Sequence, residues 1–334
     1  MTVTYMFKGS RSGTEGAPRS DDGVLVLPVE GTAPTDDAPA GALPDAGPSG
    51  DAPAEAAPRN APAISETRNL PVRWTPPESR LILVGKSRGG VGATSVAVNL
   101  ALELQNARRL FGVSRAHRVA LVDFDVQFGN VGSFLDLDDR GGMLALLRLR
   151  DEPDAQAVRN AMLTHPSGLR VLVAPRSPIP LEALDSARVE AILAVLMAEY
   201  DYIVADLPPA LVPWLEPLIA RASRLLLVSD LSVPSVACTR RVLDLMREDN
   251  PDLAAEIVVS REKKPMILRK THREAAKAIG LPLAHWLPDE SRLARQALDR
   301  GEPLSLLAPR CAWSKALREI AGSMRAQLRV EAKV

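Results

Sequence analysis

Eleven residues, Gly85-Lys86-Ser87-Arg88-Gly89-Gly90-Val91-Gly92-Ala93-Thr94-Ser95, restrict this chain's folding more than any other stretch. The apolar run Leu81-Ile82-Leu83-Val84 precedes them, and the helix-like Val96-Ala97-Val98-Asn99-Leu100-Ala101-Leu102 comes after. In the order strand, glycine loop, helix, the loop's N–H groups and the positive end of the helix dipole converge on one point, an arrangement that holds a phosphate chain. Glycines at 89, 90 and 92 let the backbone approach without a Cβ in the way. Against the pattern G-x-x-x-x-G-K-[ST], the loop keeps Gly92 and Thr94 but has Ser87 at the first glycine and Ala93 at the lysine. Three glycines alone would also suit a tight turn that binds nothing, so the weight falls on the rest of the chain.

With 334 residues, 46% of them apolar, the chain has material for one large or two medium domains. Its formal charge of zero hides an asymmetry: residues 1–79 hold 6 Lys and Arg against 11 Asp and Glu, and the remainder 35 against 30. So mild a surplus is not the strongly basic footprint of a nucleic-acid binder. Cys238 and Cys311 lie far apart with no C-x-x-C, which fits buried thiols in a reducing compartment better than a disulfide framework or a metal site. No apolar run approaches membrane-span length and the start of the chain lacks a signal-peptide core, so a soluble, cytoplasmic protein is expected.

Residues 1–79 contain 12 of the 28 prolines and few large apolar residues, the composition of a disordered tail or linker. Its two apolar patches, Tyr5-Met6-Phe7 and Val24-Leu25-Val26-Leu27, are either docking motifs or tolerated variation. From Arg80, apolar runs of strand length alternate with helical segments. Strands are predicted near 81–85, 119–123, 169–174, 202–206, 225–229, 256–260 and 283–287. Helices are predicted near 94–107, 142–149, 154–164, 186–199, 214–222, 234–248, 267–279, 290–299 and 312–329. Runs such as Leu225-Leu226-Leu227-Val228 are apolar on both faces, as a sheet covered on both sides requires. The expectation is one doubly wound α/β domain over 80–329 with a mostly parallel sheet, a short tail at 330–334, and ligands at the carboxyl ends of the strands.

Two of those strand ends carry carboxylates. One runs into Asp123-Phe124-Asp125-Val126-Gln127-Phe128-Gly129, the other into Asp206-Leu207-Pro208. A carboxylate there, near a phosphate loop, is placed to hold Mg²⁺ directly or through water while Thr94 supplies a hydroxyl. Any one of them alone would serve equally as a helix cap. Together with Arg88-Gly89-Gly90-Val91-Gly92-Ala93-Thr94 and Ser167-Gly168-Leu169-Arg170-Val171-Leu172-Val173-Ala174-Pro175, they make residues 80 to about 325 resemble the MinD/ParA superfamily of deviant phosphate-loop ATPases. The likeness is greatest to its CpaE/TadZ branch, the localisation factors of tight-adherence (Flp-type) pilus assembly.

The resemblance implies ATP or ADP with Mg²⁺ as cofactors, and a homodimer. It implies that Arg88, where the superfamily has lysine, reaches a partner's phosphates with a planar fork. It implies further that Gly89, Gly90, Val91, Gly92, Ala93, Thr94 and Ser95 line the nucleotide, and that Asp125 orients attacking water. Thr94, Asp123 and Asp206 would surround Mg²⁺. The base would be read at Ser260 and Arg261, where relatives have asparagine in a V-N-R turn. Ala93 stands where active relatives have the phosphate lysine, so hydrolysis is expected to be slow or absent. Partners would be pilus or secretion machinery proteins such as the secretion ATPase, with a polar location or one at the inner-membrane surface.

The last predicted helix carries Trp313, Leu317, Ile320, Met324 and Leu328 as one stripe beside Lys315, Arg318, Arg325 and Arg329. It either covers the sheet or, as the resemblance implies, rests on membrane. The basic run Arg269-Lys270-Thr271-His272-Arg273, with Lys263 and Lys264 upstream, reads as a solvated face without the aromatic interleaving of a nucleic-acid platform. The four histidines are scattered, and no metal role is expected of them. Competing readings are a DNA-partitioning ATPase of ParA type, which the charge balance disfavours, an ATP-dependent metabolic enzyme, which Ala93 disfavours, and a nucleotide-free scaffold.

Overall fold

In this computed structural model, residues 79–106 and 117–331 are described. The chain divides after Arg68, and all the described residues belong to the second unit. The tail expected over 1–79 falls almost wholly outside the described residues, as do residues 332–334.

The strands are β1 (Arg80–Lys86), β2 (Val119–Asp123), β3 (Leu163–Thr164), β4 (Arg170–Leu172), β5 (Tyr202–Asp206), β6 (Ala222–Ser229), β7 (Ala255–Ser260) and β8 (His285–Leu287). The helices are α1 (Ala93–Gln105), α2 (Val131–Phe134), α3 (Gly142–Arg148), α4 (Ala155–Ala161), α5 (Ser186–Glu199), α6 (Glu216–Arg221), α7 (Val233–Asp249), α8 (Lys270–Ile279), α9 (Ser291–Asp299), α10 (Leu304–Leu307) and α11 (Ala312–Glu331). The sheet runs β3-β4-β2-β5-β1-β6-β7-β8, parallel throughout except for the β3–β4 pair. Successive side chains of β1 point to opposite faces: Leu81 and Leu83 enter a core shared with α5 and α7, while Ile82 and Val84 enter one shared with α1 and α11. A strand buried on both sides has to be apolar at every position, which is why the run 81–84 holds no polar residue.

The strand order reverses at β1. After β1 the chain builds the β4-β2-β5 side, then crosses to β6 and proceeds outward. The carboxyl ends of β1, β2, β5, β6 and β7 therefore surround one crevice, the site such a reversal creates.

Three local expectations need correction. The helix expected over 154–164 ends at Ala161, and Leu163 and Thr164 form a short strand antiparallel to β4. Pro166 disfavours helical backbone at His165, and Gly168, at φ +86°, closes the turn. The helix expected from 267 starts at Lys270. The single-turn helices α2 and α10 are absent from the expected elements, being too short to leave a periodic signal.

The apolar stripe of α11 faces inward. Trp313, Leu317, Ile320, Met324 and Leu328 are at most 8% exposed, Arg318 pairs with Glu103 of α1 at 3.2 Å, and Arg325 donates to the Glu103 carbonyl at 2.6 Å. Membrane contact through 312–329, as the resemblance implied, would require this stripe to leave the core. Among the described residues no helix is long and apolar enough to cross a membrane.

Candidate functional site

The glycine loop is built to turn inward. Ser87 N–H donates to the Val228 carbonyl at 2.9 Å, carrying the backbone from β1 across to the end of β6. Gly90 and Gly92 then take φ of +79° and +93°, values that side chains disfavour. A Cβ added at Gly89 or Gly90 would meet open space, so this backbone borders a void and not protein. From Gly92, α1 runs away through the core, with its amino end at the loop. The last residue of β7 and the one after it clamp the loop from outside: Ser260 Oγ donates to the Val91 carbonyl at 2.7 Å and the Arg261 guanidinium to that of Gly90 at 2.6 Å. Arg261 itself sits at φ +61°, strained for a side chain of its size.

Below the loop lies a group of buried charges. Thr94 Oγ1 donates to Asp206 Oδ2 at 2.7 Å, while Asp206 Oδ1 is buried with no hydrogen-bond partner among the described residues. Asp123 is fully buried; its Oδ1 accepts Asp125 N–H at 3.1 Å and its Oδ2 accepts Val131 N–H at 3.0 Å. That carboxylate shapes the loop after β2. Gly129 is needed beside it, because a Cβ there would fall 2.4 Å from Asp123 Oδ2. Asp125 is 4% exposed, accepting Phe128 N–H at 3.1 Å on one oxygen and the Lys86 ammonium at 3.1 Å on the other.

Lys86 is the residue that sequence reasoning missed. It sits two places before Arg88 in a loop lacking its usual lysine, and that coincidence was the available signal. Its partner lies 39 residues away, so the contact itself was not visible in the sequence.

Burial governs the protonation of this floor. Asp206 is pushed up to about 6 by burial, with the charges of Lys86 and Asp125 and the Thr94 hydrogen bond partly cancelling one another. Asp123 is raised well above the ordinary carboxylate range, first by burial and then by Asp206. Asp125 and Asp206 therefore share one lysine at the base of the cleft, where burial penalises unbalanced charge, and a further cation is electrostatically favoured. Asp206 Oδ1 is the free ligand atom for it, and Thr94 supplies the hydroxyl. Among the described residues no group of three or more His, Cys, Asp or Glu side chains is arranged to hold a metal alone. That suits Mg²⁺, which takes one or two protein ligands and draws the rest from water and phosphate.

Arg88 occupies the rim. Its Nε donates to Ser235 Oγ at 3.0 Å and its Nη2 pairs with Asp230 within its own chain. Burial works to raise Asp230, but hydrogen bonds from Ser235, Arg88 and Ser232 outweigh it and hold the carboxyl below its ordinary range. Loop, floor and rim enclose a cleft of about 970 Å³, closed on the far side by Pro288, Ser291 and Trp313. Of the residues picked out from sequence, Arg88, the run 89–95, Asp125, Ser260 and Arg261 line it, and Asp206 meets it through Thr94. Asp123 lies behind it.

Known proteins share this arrangement of sheet and loop. Residues 79–253 match the AAA_31 family, described as an AAA domain. The chain is 33% identical over 192 residues to the chromosome partitioning protein ParA of Myxococcus xanthus, which covers 53% of this chain and 62% of that relative's length. It is 24% identical over 233 residues to the septum site-determining protein MinD of Thermotoga maritima, covering 68% of this chain and 81% of the relative. Among solved structures, a ParA family ATPase from Chlorobium tepidum superposes with a TM-score of 0.62 at 21% identity, over 73% of this chain and 97% of that one. Pyrococcus horikoshii MinD complexed with Mg-ADP gives 0.61 at 18%, over 77% and 100%. At those identities the superpositions establish the shared fold.

Proposed function

This chain belongs to the AAA_31 family, with the α/β fold of MinD and ParA ATPases, and from that premise we propose that it binds ATP with Mg²⁺ as a dimerising switch whose hydrolysis is slow. The observation that carries the reading is the floor of the cleft: Thr94 bonded to Asp206, a free buried Asp206 oxygen, and Lys86 bonded to Asp125 beneath an open glycine loop. The N–H groups of residues 89–94 and the amino end of α1 receive the phosphates. Thr94 and Asp206 hold Mg²⁺, which supplies charge neutralisation for the phosphate chain. Asp123, committed to two backbone N–H groups, fixes the loop that presents Asp125. Ser260 and Arg261, which hold the loop through the Val91 and Gly90 carbonyls, are the residues beside which the base would sit.

Ala93 determines the rate. A charge-assisted hydrogen bond contributes about 1.5–3 kcal/mol, so its absence weakens binding by roughly one to two decades without abolishing it. A missing transition-state donor lowers the rate by about 10²–10³. Binding thus outlasts catalysis, which is the property of a switch. The cellular role we propose is localisation of a pilus or secretion machine, supported by the similarity of the motifs to the CpaE/TadZ branch, with proteins of that machine as partners. DNA partitioning is the second reading, supported by the Myxococcus relative's name.

The test is calorimetric titration of ATP with and without Mg²⁺, read with oligomeric state by light scattering, on the parent and on Arg88→Ala. Mg²⁺-dependent binding that drives an Arg88-dependent dimer is expected. Absence of binding, or turnover of about 1–100 s⁻¹ as in ordinary kinases, overturns the switch. Salt-dependent retention by duplex DNA in the ATP state would favour the partitioning reading.

A further inference from the structure

The loop from Arg261 to Arg269, between β7 and α8, takes no part in the site beyond its first residue, yet both its ends are fixed. Glu262 N–H donates to the Leu287 carbonyl at 3.0 Å, and the Glu262 carboxylate meets His272 Nε2 at 2.8 Å. That ring is 4% exposed, stands edge-on to Trp286, and accepts Arg269 N–H on Nδ1 at 3.3 Å, so Nε2 carries the proton that Glu262 receives. Between these anchors the chain projects as a finger. Met266 at its tip is 104% exposed, Ile267 81% and Leu268 40%. Lys263 and Lys264 precede them and Arg269, Lys270 and Arg273 come after, all five exposed. Among the described residues Lys263 and Lys264 form no ion pair; Lys270 has one, with Glu274 at 3.7 Å on the surface. Arg273 supports the finger by donating to the Leu268 carbonyl at 2.6 Å.

Three consecutive aliphatic side chains held in water between two basic clusters have a definite complement. We infer that this finger docks on an anionic lipid surface, Met266 and Ile267 entering the boundary of the acyl chains while the flanking lysines and arginines lie over the head groups. Nucleic acid would use the cations but leave the aliphatic tip without a stacking partner. A second copy meeting this patch about a two-fold axis would set its cations against themselves. Lipid satisfies both halves of the surface at once, and it does so without disturbing α11, whose apolar stripe is already buried.

The experiment is flotation of the full chain, without nucleotide so that it is independent of the switch reading, with vesicles of phosphatidylcholine alone and of equal phosphatidylcholine and phosphatidylglycerol. The parent is expected to float with the anionic vesicles only, and less as salt rises. Met266→Ser/Ile267→Ser, which alters only exposed side chains and should melt like the parent, is expected to lower partitioning on the order of tenfold. Each charge removed in Lys263→Gln and Lys264→Gln should lower it about fivefold. Failure to float with anionic vesicles, or equal flotation of parent and Met266→Ser/Ile267→Ser, overturns the proposal. Retention by duplex DNA that needs the lysines and ignores Met266 and Ile267 assigns the loop to nucleic acid instead and also overturns it.

Discussion

Lys86 and Arg88 leave the end of β1 two residues apart and come to opposite uses. Lys86 turns down into the floor of the cleft, its side chain 11% exposed, to meet an Asp125 side chain that is 6% exposed. Arg88 turns out to the rim, its side chain 52% exposed, to meet Asp230. On the floor, each charge depends on its neighbours because little solvent screens them, and removing one changes the state of the others. At the rim, solvent screens the pair, and Arg88 can exchange one partner for another at little cost. The same positive charge is therefore held fast on the floor and held loosely at the rim, the contrast that the proposed switch would use.

The largest effect expected from this contrast lies at Asp206. Asp206→Asn removes the free buried oxygen and the charge that receives Mg²⁺, and Mg²⁺-dependent ATP affinity should fall on the order of 100-fold by calorimetry. The ligand-free variant should melt no lower than the parent, because burial already opposes ionisation there. An Asp206→Asn protein that still gains affinity from Mg²⁺ as the parent does would remove the floor's proposed role.

Lys86 comes next. Lys86→Met keeps the length and removes the charge, leaving Asp125 and Asp206 uncompensated, so stability should fall by about 3 kcal/mol and ATP affinity by roughly tenfold. Adding Ala93→Lys to that variant puts a cation back in the loop, and should recover ATP affinity while leaving the stability loss in place. Full affinity in Lys86→Met alone would show that the lysine serves Asp125 only. At the rim the response should be smaller. Asp230→Asn releases Arg88, so urea stability should change by no more than about 1 kcal/mol, while the ATP-dependent dimer tightens a few-fold in light scattering. A weaker dimer would mean that Asp230 positions Arg88 for its partner.

The floor and the rim are not equally legible in the sequence. Asp123 and Asp206 announce themselves because each closes an apolar run, Gly92 and Thr94 because they hold fixed places in a glycine loop that follows one, and strand ends in a parallel sheet share one edge. Lys86 does not, since a lysine beside a glycine loop carries no sign of which carboxylate it will find across the sheet. The pairing of Arg88 with Asp230 spans 142 residues and is invisible for the same reason. The α11 stripe has one spacing whether it meets lipid or protein, so periodicity gives the helix but not its face. The finger at 263–269 shows in sequence as a basic run alone, because exposure of Met266 and Ile267 is a tertiary fact: in sequence Ile267 reads as the start of the helix predicted over 267–279.

The smallest predicted effect separates the cleft from the rest of the molecule. His165, 7% exposed in the turn between β3 and β4, accepts Ser167 N–H on Nδ1 at 3.2 Å. Burial lowers its proton affinity. The folded state thus binds a proton less readily than the unfolded chain, whose histidine titrates near about 6.5. Its contribution to stability is complete above about 6.5 and is lost as pH falls from there through the folded value. Asparagine can accept the same N–H without titrating. Urea midpoints should therefore decline less steeply on acidification in His165→Asn than in the parent. The difference between the two should be the same with Mg²⁺ and ATP as without, because the turn has no part in the cleft. If nucleotide abolishes that difference, the turn and the cleft are coupled through β4, and the independence of floor and periphery drawn from Lys86 and Arg88 fails.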